Sequence, residues 1–321
     1  MTMLLEIKAE KAIKGDCIWI RYGEKNISNI IVDSGPSSFA KGFRKLIHKI
    51  IENGEEIDLL VLTHIDDDHI KGFSKYIEDN DCNKIKKIWF NGHGSEVYIK
   101  NQPHSPRNVT NLINYINDKG LQAITPVYEG YIEKINEAEL TVITPTEEDI
   151  NNVAKEIDKF IPHSFQSIYN KDLDRIMEDD NFEKDGSKTN KASISFIFSY
   201  KNRNIAFLGD AHAEDIVKGK NKFFKDRPIH MIKLPHHGSK YNINKELIEC
   251  MNAKKFIIST KGPIHKETIS RIIQNVDKPI IYCNYEWWRK CSFFTNNDKK
   301  KYLDTGKLEI IALDEEEKIP M

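Results

Sequence analysis

Two histidines and three aspartates crowd into positions 64 to 69 of the stretch LLVLTHIDDDHIKGF, Leu59 to Phe73. His64, Asp66, Asp67, Asp68 and His69 follow an apolar run, Leu59 to Leu62, and precede a glycine and a helical pattern. Carboxylates this close repel one another, and burying even one unpaired charge is costly. A cation resolves the conflict, so the stretch reads as half of a metal site at the end of a buried strand. Other apolar runs close on metal-capable residues too: Asp33 in NIIVDSG, Asp210 in NIAFLGD, and His236 with His237 in HMIKLPHH. Taken singly each is ordinary, because a Gly-Asp pair after a strand is most often a turn. Their repeated arrival at strand ends, where loops of layered α/β folds gather ligands, is the signal.

The elements that must position these residues are legible as short runs rich in Ile, Val and Phe, each closed by a turn residue. Strands are expected over 16–22, 29–35, 58–64, 87–90, 139–145, 192–200, 204–210, 230–237, 255–260 and 279–284. Apolar residues at helical spacing predict helices over 39–54, 72–79, 108–120 and 266–276. Interspersed in this way, they argue for an α/β fold with mixed sheets. Residues 146–189 are polar and charged, with a weak helical pattern around KDLDRIMEDDNF. They are expected to form an insertion over one end of a single domain spanning 1–321.

The 321 residues are 39% hydrophobic and 30% charged, ordinary values for a chain with a substantial core. With 48 basic against 49 acidic residues the formal net charge is −1, which neither demands nor excludes a nucleic-acid partner. Five scattered cysteines form no C-x-x-C pair, against a thiolate zinc site or a disulfide framework. The N-terminal stretch lacks the apolar core of a signal peptide, and no run approaches the ~20 apolar residues of a membrane span. A cytoplasmic protein without a membrane partner is the expectation.

In order, IIVDSG, THIDDDHIKG, FLGD and KLPHHGS resemble the metallo-β-lactamase fold superfamily, across about residues 15–265. Within it they are most similar to the nuclease-like branch typified by the hydrolase domain of the DNA-uptake protein ComEC. The resemblance implies an αββα sandwich of two mixed β-sheets flanked by helices, with one or two divalent metal ions at the sheet edge. Carried over, it implies His64 and Asp66 on a first metal, Asp68 and His69 on a second, and Asp210 bridging them. His237, just before Gly238, is implied as the last ligand, with His236 beside it or facing substrate. Asp33 is implied to sit behind the site and orient a ligand. Asp68 is also implied to orient the nucleophilic water. Paired cations ~3.5–4 Å apart hold a hydroxide and stabilise the attacking and leaving oxygens of a hydrolysis.

The sequence departs from the family pattern in two places. Asp66 stands where most members have histidine, and the histidine usual before a later strand is absent. There the chain reads SKTNKASISFIF, with Asn190 and Ser193 in the N-x-x-S spacing of the ComEC-like branch. Asn190 either donates an amide oxygen or caps a turn. Oxygen ligands in place of imidazoles weaken the preference for zinc and bring manganese, and magnesium, into consideration. His265, in KGPIHKETI, is read as a general acid or phosphate contact. Asp67 is read as a solvent-facing or capping residue and His93 as a structural or exposed loop residue. The aromatic cluster YEWWRK, Tyr285 to Lys290, is read as closing a core in preference to stacking bases.

The resulting expectation is a metal-dependent hydrolase, a phosphodiesterase or nuclease acting on DNA or RNA. The alternatives are a non-catalytic interaction module of the same fold, or a hydrolase of a small ester, lactone or cyclic nucleotide. Work alongside a protein partner is compatible with the sequence.

Overall fold

The computed structural model describes residues 4–92, 105–153, 168–262, 264–290, 292–314 and 317–320. The first sheet contains β1 (Leu4–Ala9), β2 (Ile18–Gly23), β3 (Ser28–Val32), β4 (Leu59–Leu62), β5 (Ile88–Phe90) and β6 (Ala123–Ile124). The second contains β7 (Ile132–Ile135), β8 (Ala138–Thr144), β9 (Ser195–Tyr200), β10 (Arg203–Phe207), β11 (Met231–Lys233), β12 (Lys255–Ile258), β13 (Ile280–Cys283) and β14 (Glu309–Ala312). Both are ordered as in the sequence. Each starts as an antiparallel meander and continues as parallel strands, the change falling at β3–β4 in one and β10–β11 in the other.

Alternation along the strands explains the layering. In β4, Leu59 and Val61 face the core between the sheets, whereas Leu60 and Leu62 face helices. In β9 and β10, Phe196, Phe198, Ile205 and Phe207 point inward, and Ile197 and Ala206 outward. Strands covered on both faces read as continuous apolar runs, and LLVL is such a run.

The first sheet is covered by α1 (Ala40–Glu52), α2 (Asp67–Asp79) and α3 (Ser105–Asp118). Helix α1 buries Phe43, Leu46, Ile47 and Ile50, one apolar stripe at helical spacing. The chain continues through α4 (Glu147–Val153), α5 (Leu173–Asp179) and α6 (Lys188–Lys191) to α7 (Ala213–Phe223), α8 (Lys245–Met251) and α9 (Lys266–Asn275). The last three cover the outer face of the second sheet. The expected αββα sandwich is the architecture observed. Strands β1, β6, β7 and β14 were not expected from the sequence. No helix among the described residues is long and apolar enough to cross a membrane.

Within the 146–189 segment, α5 and the residues flanking it pack onto α9. Lys266 is fully buried and its Nζ lies 2.6 Å from Asp298 Oδ2 and donates to the Lys171 carbonyl at 2.6 Å. Arg271 makes a bidentate pair with Asp180 at 2.6 and 2.7 Å. The YEWWRK cluster does close a core: Trp287 is buried, 4.8 Å from the Phe293 ring.

Candidate metal centre

Asp33 follows β3 in the left-handed region (φ 60°), a conformation a non-glycine residue keeps only when its surroundings hold it there. Its Oδ1 accepts from the Thr63 backbone N–H at 2.8 Å, and its Oδ2 from the Thr63 hydroxyl at 2.9 Å. The same Oδ2 accepts from Nδ1–H of His69 at 2.8 Å. Having donated to Asp33, the Thr63 hydroxyl accepts from Nδ1 of His64 at 3.0 Å. One carboxylate thus places the proton of both imidazoles on Nδ1 and leaves both Nε2 lone pairs free to bind.

The register of α2 against this loop is set by close backbone approach. Ser34 N–H and Oγ–H both donate to the His69 carbonyl at 2.8 Å, and Gly72 N–H donates to the Gly35 carbonyl at 2.8 Å. A Cβ on Gly72 would lie 1.9 Å from the Ser34 carbonyl oxygen, so only glycine fits. Gly15 has the same role on the other side, where a Cβ would meet the Asp68 carbonyl oxygen at 1.8 Å.

Asp210 is the hub. It follows β10 through Gly209, and its Oδ2 lies 3.5 Å from Nε2 of His69 and 3.8 Å from Nε2 of His64. It lies 3.8 Å from Nε2 of His236 and 3.9 Å from Nε2 of His237. The two neighbouring histidines stand on a tight turn after β11, both in the left-handed region (φ 46° and 53°). That pair of unusual conformations aims two successive rings at one point. His237 has Nδ1 3.4 Å from Asp16 Oδ1 and Nε2 3.5 Å from Asp68 Oδ2. Asp66 Oδ2 is 3.7 Å from His64 Nε2.

Several buried atoms here have no hydrogen-bond partner: Nε2 of His64, His69 and His237, Nδ1 of His237, and Oδ1 of Asp210 and Asp16. Unpaired polar atoms are rare in protein interiors, and so many converging on one point call for a ligand. Ligand atoms of His64, His69 and Asp210 lie within 4.8 Å of one another, as do those of Asp68, His69 and His237. Electrostatics agree. Burial opposes charge on His69, yet Asp210, Asp33 and Asp68 raise its pKa well above the imidazole range. His237 is pushed up to about 10 against burial, chiefly by Asp16 and Asp210. Asp210 is held well below the carboxylate range against burial, chiefly by His69 and His236. These shifts express surplus negative charge, which a divalent cation relieves by displacing imidazole protons. The donor set therefore fits a divalent metal.

His64, Asp66, Asp68, His69, Asp210 and His237 all meet here, with Asp33 behind them. Both members of the HHGS pair bring Nε2 to within 3.9 Å of Asp210. Asp66 begins α2 as its N-cap without a side-chain capping bond, and Asp67 is half exposed, 3.9 Å from Lys71. Asn190 is buried and donates to Asp185 at 2.7 Å, with its Nδ2 3.4 Å from Nδ1 of His236. His265 is the N-cap residue of α9, and its Nδ1 accepts from Lys240 N–H at 3.4 Å. Burial pushes it down to about 4, so at neutral pH its imidazole is uncharged. His93 lies outside the described residues.

Sequence reasoning missed Asp16, Lys233, Asp185 and Asn242. Asp16 follows a glycine at the edge of a strand, as Asp210 does, and that pattern could have found it. It is buried and ion-paired to buried Lys233. Asp185 sits within a polar segment that offers no local signal.

Residues 12–98 match the family model described as the metallo-beta-lactamase superfamily. Together with the sandwich and its metal-capable cluster, this supports that superfamily, which is generally hydrolytic and generally binds divalent metals. Similar solved structures include the metallo-β-lactamase fold protein YhfI from Bacillus subtilis (7% identity, 88% of this chain and 97% of that one, TM-score 0.48). Another is Tm1679, a metal-dependent hydrolase of the β-lactamase superfamily (10% identity, 99% of each chain, TM-score 0.44). A third is CmlA, a diiron β-hydroxylase from Streptomyces venezuelae (9% identity, 96% of this chain, TM-score 0.44), of which this chain spans about half, 52%. No curated protein matches the chain.

Proposed function

We propose that the chain is a single-domain, metal-dependent phosphodiesterase that cleaves nucleic acid, of the ComEC-like kind. The observation that carries the metal chemistry is the Asp210 carboxylate oxygen within 3.5–3.9 Å of four imidazole Nε2 atoms. His64, Asp66, Asp68, His69, Asp210 and His237 are the residues that would hold the ions. A divalent ion bound there supplies Lewis-acid polarisation of a phosphoryl oxygen and activation of water. Asp68, with its side chain 39% exposed at the rim, would orient an attacking water. His265 is left with its proton on Nε2, a neutral donor suited to a phosphate oxygen. The mixed set of imidazoles and carboxylates suits zinc or manganese, with magnesium a weaker fit.

What supports the nucleic-acid substrate is the resemblance of the Asn190-x-x-Ser193 and HHGS segments to the ComEC-like branch. The test is cleavage of single- and double-stranded DNA and RNA with manganese, magnesium, zinc or EDTA, beside Asp68→Ala. Metal-dependent cleavage lost in the variant is expected. Metal uptake without cleavage of any strand overturns the substrate and points to a small ester, lactone or cyclic nucleotide. No metal uptake overturns the enzyme and favours an interaction module.

A further inference from the structure

We propose that His236 takes the place of the histidine missing before β9 as a metal ligand, and that Asp185 is its positioning residue; this rests on the metal-centre reading above. Asp185 belongs to the 146–189 segment, so the proposal assigns that segment a task in the site.

The chain of contacts fixes the direction of the ring. Asp185 N–H donates to the Tyr241 carbonyl at 3.0 Å, tying the segment to the loop after HHGS. Its Oδ1 accepts from Ser187 N–H at 2.9 Å, and its Oδ2 accepts from Nδ2 of Asn190 at 2.7 Å and of Asn242 at 3.0 Å. Asn242 Nδ2 also donates to the Asp210 carbonyl at 3.0 Å. With its nitrogen committed to three oxygens, the Asn242 amide turns Oδ1 toward His236, and Nδ1–H of His236 donates to it at 2.9 Å. Asp185 Oδ2 itself lies 3.5 Å from that Nδ1. The proton is thereby held on Nδ1, and the Nε2 lone pair faces Asp210 at 3.8 Å, the same distance as Nε2 of His64.

Asp185 therefore acts on His236 through Asn242, whereas Asp33 accepts directly from Nδ1–H of His69. Hydrogen-bonding a carboxylate behind a ligand imidazole is the usual way such rings are oriented. Its burial argues the same way. Asp185 is only 4% exposed, and among the described residues no lysine or arginine pairs with it. A buried carboxylate without a cationic side chain is costly, and a cation at the adjacent centre offsets that cost.

The test measures Mn²⁺ binding by calorimetry and the Co²⁺ absorption spectrum for wild type, Asp185→Ala, His236→Ala and the double variant, with melting in EDTA to monitor folding. Asp185→Ala is expected to weaken one class of Mn²⁺ site by ~10–100-fold. His236→Ala should weaken the same class at least as much, and the double variant should match His236→Ala alone. Both single variants should alter the same Co²⁺ bands. Asn242→Ala, which cuts the link but leaves Asp185 its bonds to Asn190 and Ser187, should reproduce the effect where Asp185→Ala folds poorly. Unchanged Mn²⁺ affinity in His236→Ala, or additive losses in the double variant, overturns the proposal. A wild-type chain that takes up neither ion overturns the metal-centre reading itself, whereas metal uptake without nuclease activity leaves this inference standing.

Discussion

Oδ2 of Asp33 lies 2.8 Å from Nδ1 of His69, across 36 positions of sequence, and the same oxygen accepts the Thr63 hydroxyl that orients His64. One carboxylate therefore sets the tautomer of two of the four imidazoles around Asp210.

Asp33→Asn tests that arrangement. An amide has one acceptor oxygen for three donors, so at least one buried donor loses its partner, at a cost of ~1–3 kcal/mol. Metal affinity should fall by ~10–100-fold as the Nδ1 protons lose their anchor. Melting in EDTA reads the first effect and Mn²⁺ calorimetry the second; unchanged affinity would remove Asp33 from the site.

Metal removal should destabilise the chain. An ion that binds only the folded state at ~100 times its dissociation constant adds about 2.7 kcal/mol. Mn²⁺ should therefore raise the melting temperature by several degrees, EDTA should reverse this, and Asp210→Ala should abolish it. The increment should shrink as pH falls, because the imidazoles must shed protons to bind. Equal shifts in wild type and Asp210→Ala would place the ion elsewhere.

His265 makes a distinct pH prediction. Burial lowers it from 6.5 to about 4, so below pH 6.5 the unfolded chain binds a proton that the native chain does not. Stability then rises with pH across that window, and wild type loses stability as pH falls from ~6.5 toward ~4. His265→Gln does not titrate, and its melting curve should lack this loss, of order 2 kcal/mol at pH 4. Parallel acid profiles for the two proteins would contradict it.

Lys266 and Asp298 should matter to the fold and not to the metal. Removing one partner of a buried, hydrogen-bonded ion pair typically costs ~3–5 kcal/mol. Lys266→Met should lose about that much in urea unfolding, because it strands Asp298 and frees the carbonyls of the 168–173 arm. Mn²⁺ affinity of the folded variant should match wild type, and a fall in affinity would tie this pair to the site.

The core strands were legible because they are buried on both faces, and residues such as Leu59 to Leu62 cannot be polar there. The strands not expected are mostly edges or fragments. Ile132–Ile135 reads IEKI with one buried position, Ala123–Ile124 is two residues long, and Glu309–Ala312 closes the second sheet at its margin. Edge pairing rests on backbone hydrogen bonds along one side only, which leave little trace in side-chain type.

The sequence by itself determined which metal-capable side chains sit at the ends of apolar runs: His64, Asp66, Asp68, His69, Asp210 and the HHGS pair. Metal-capable side chains crowded after a buried strand are a local fact, and their mutual repulsion can be judged without a fold. Tertiary structure alone decided what holds them. Asn242 meets Asp185 across 57 positions, and Lys233 meets Asp16 across 217. Hydrogen-bond direction fixes an imidazole's tautomer, and the groups that supply it come from elements brought together only when the two sheets pack.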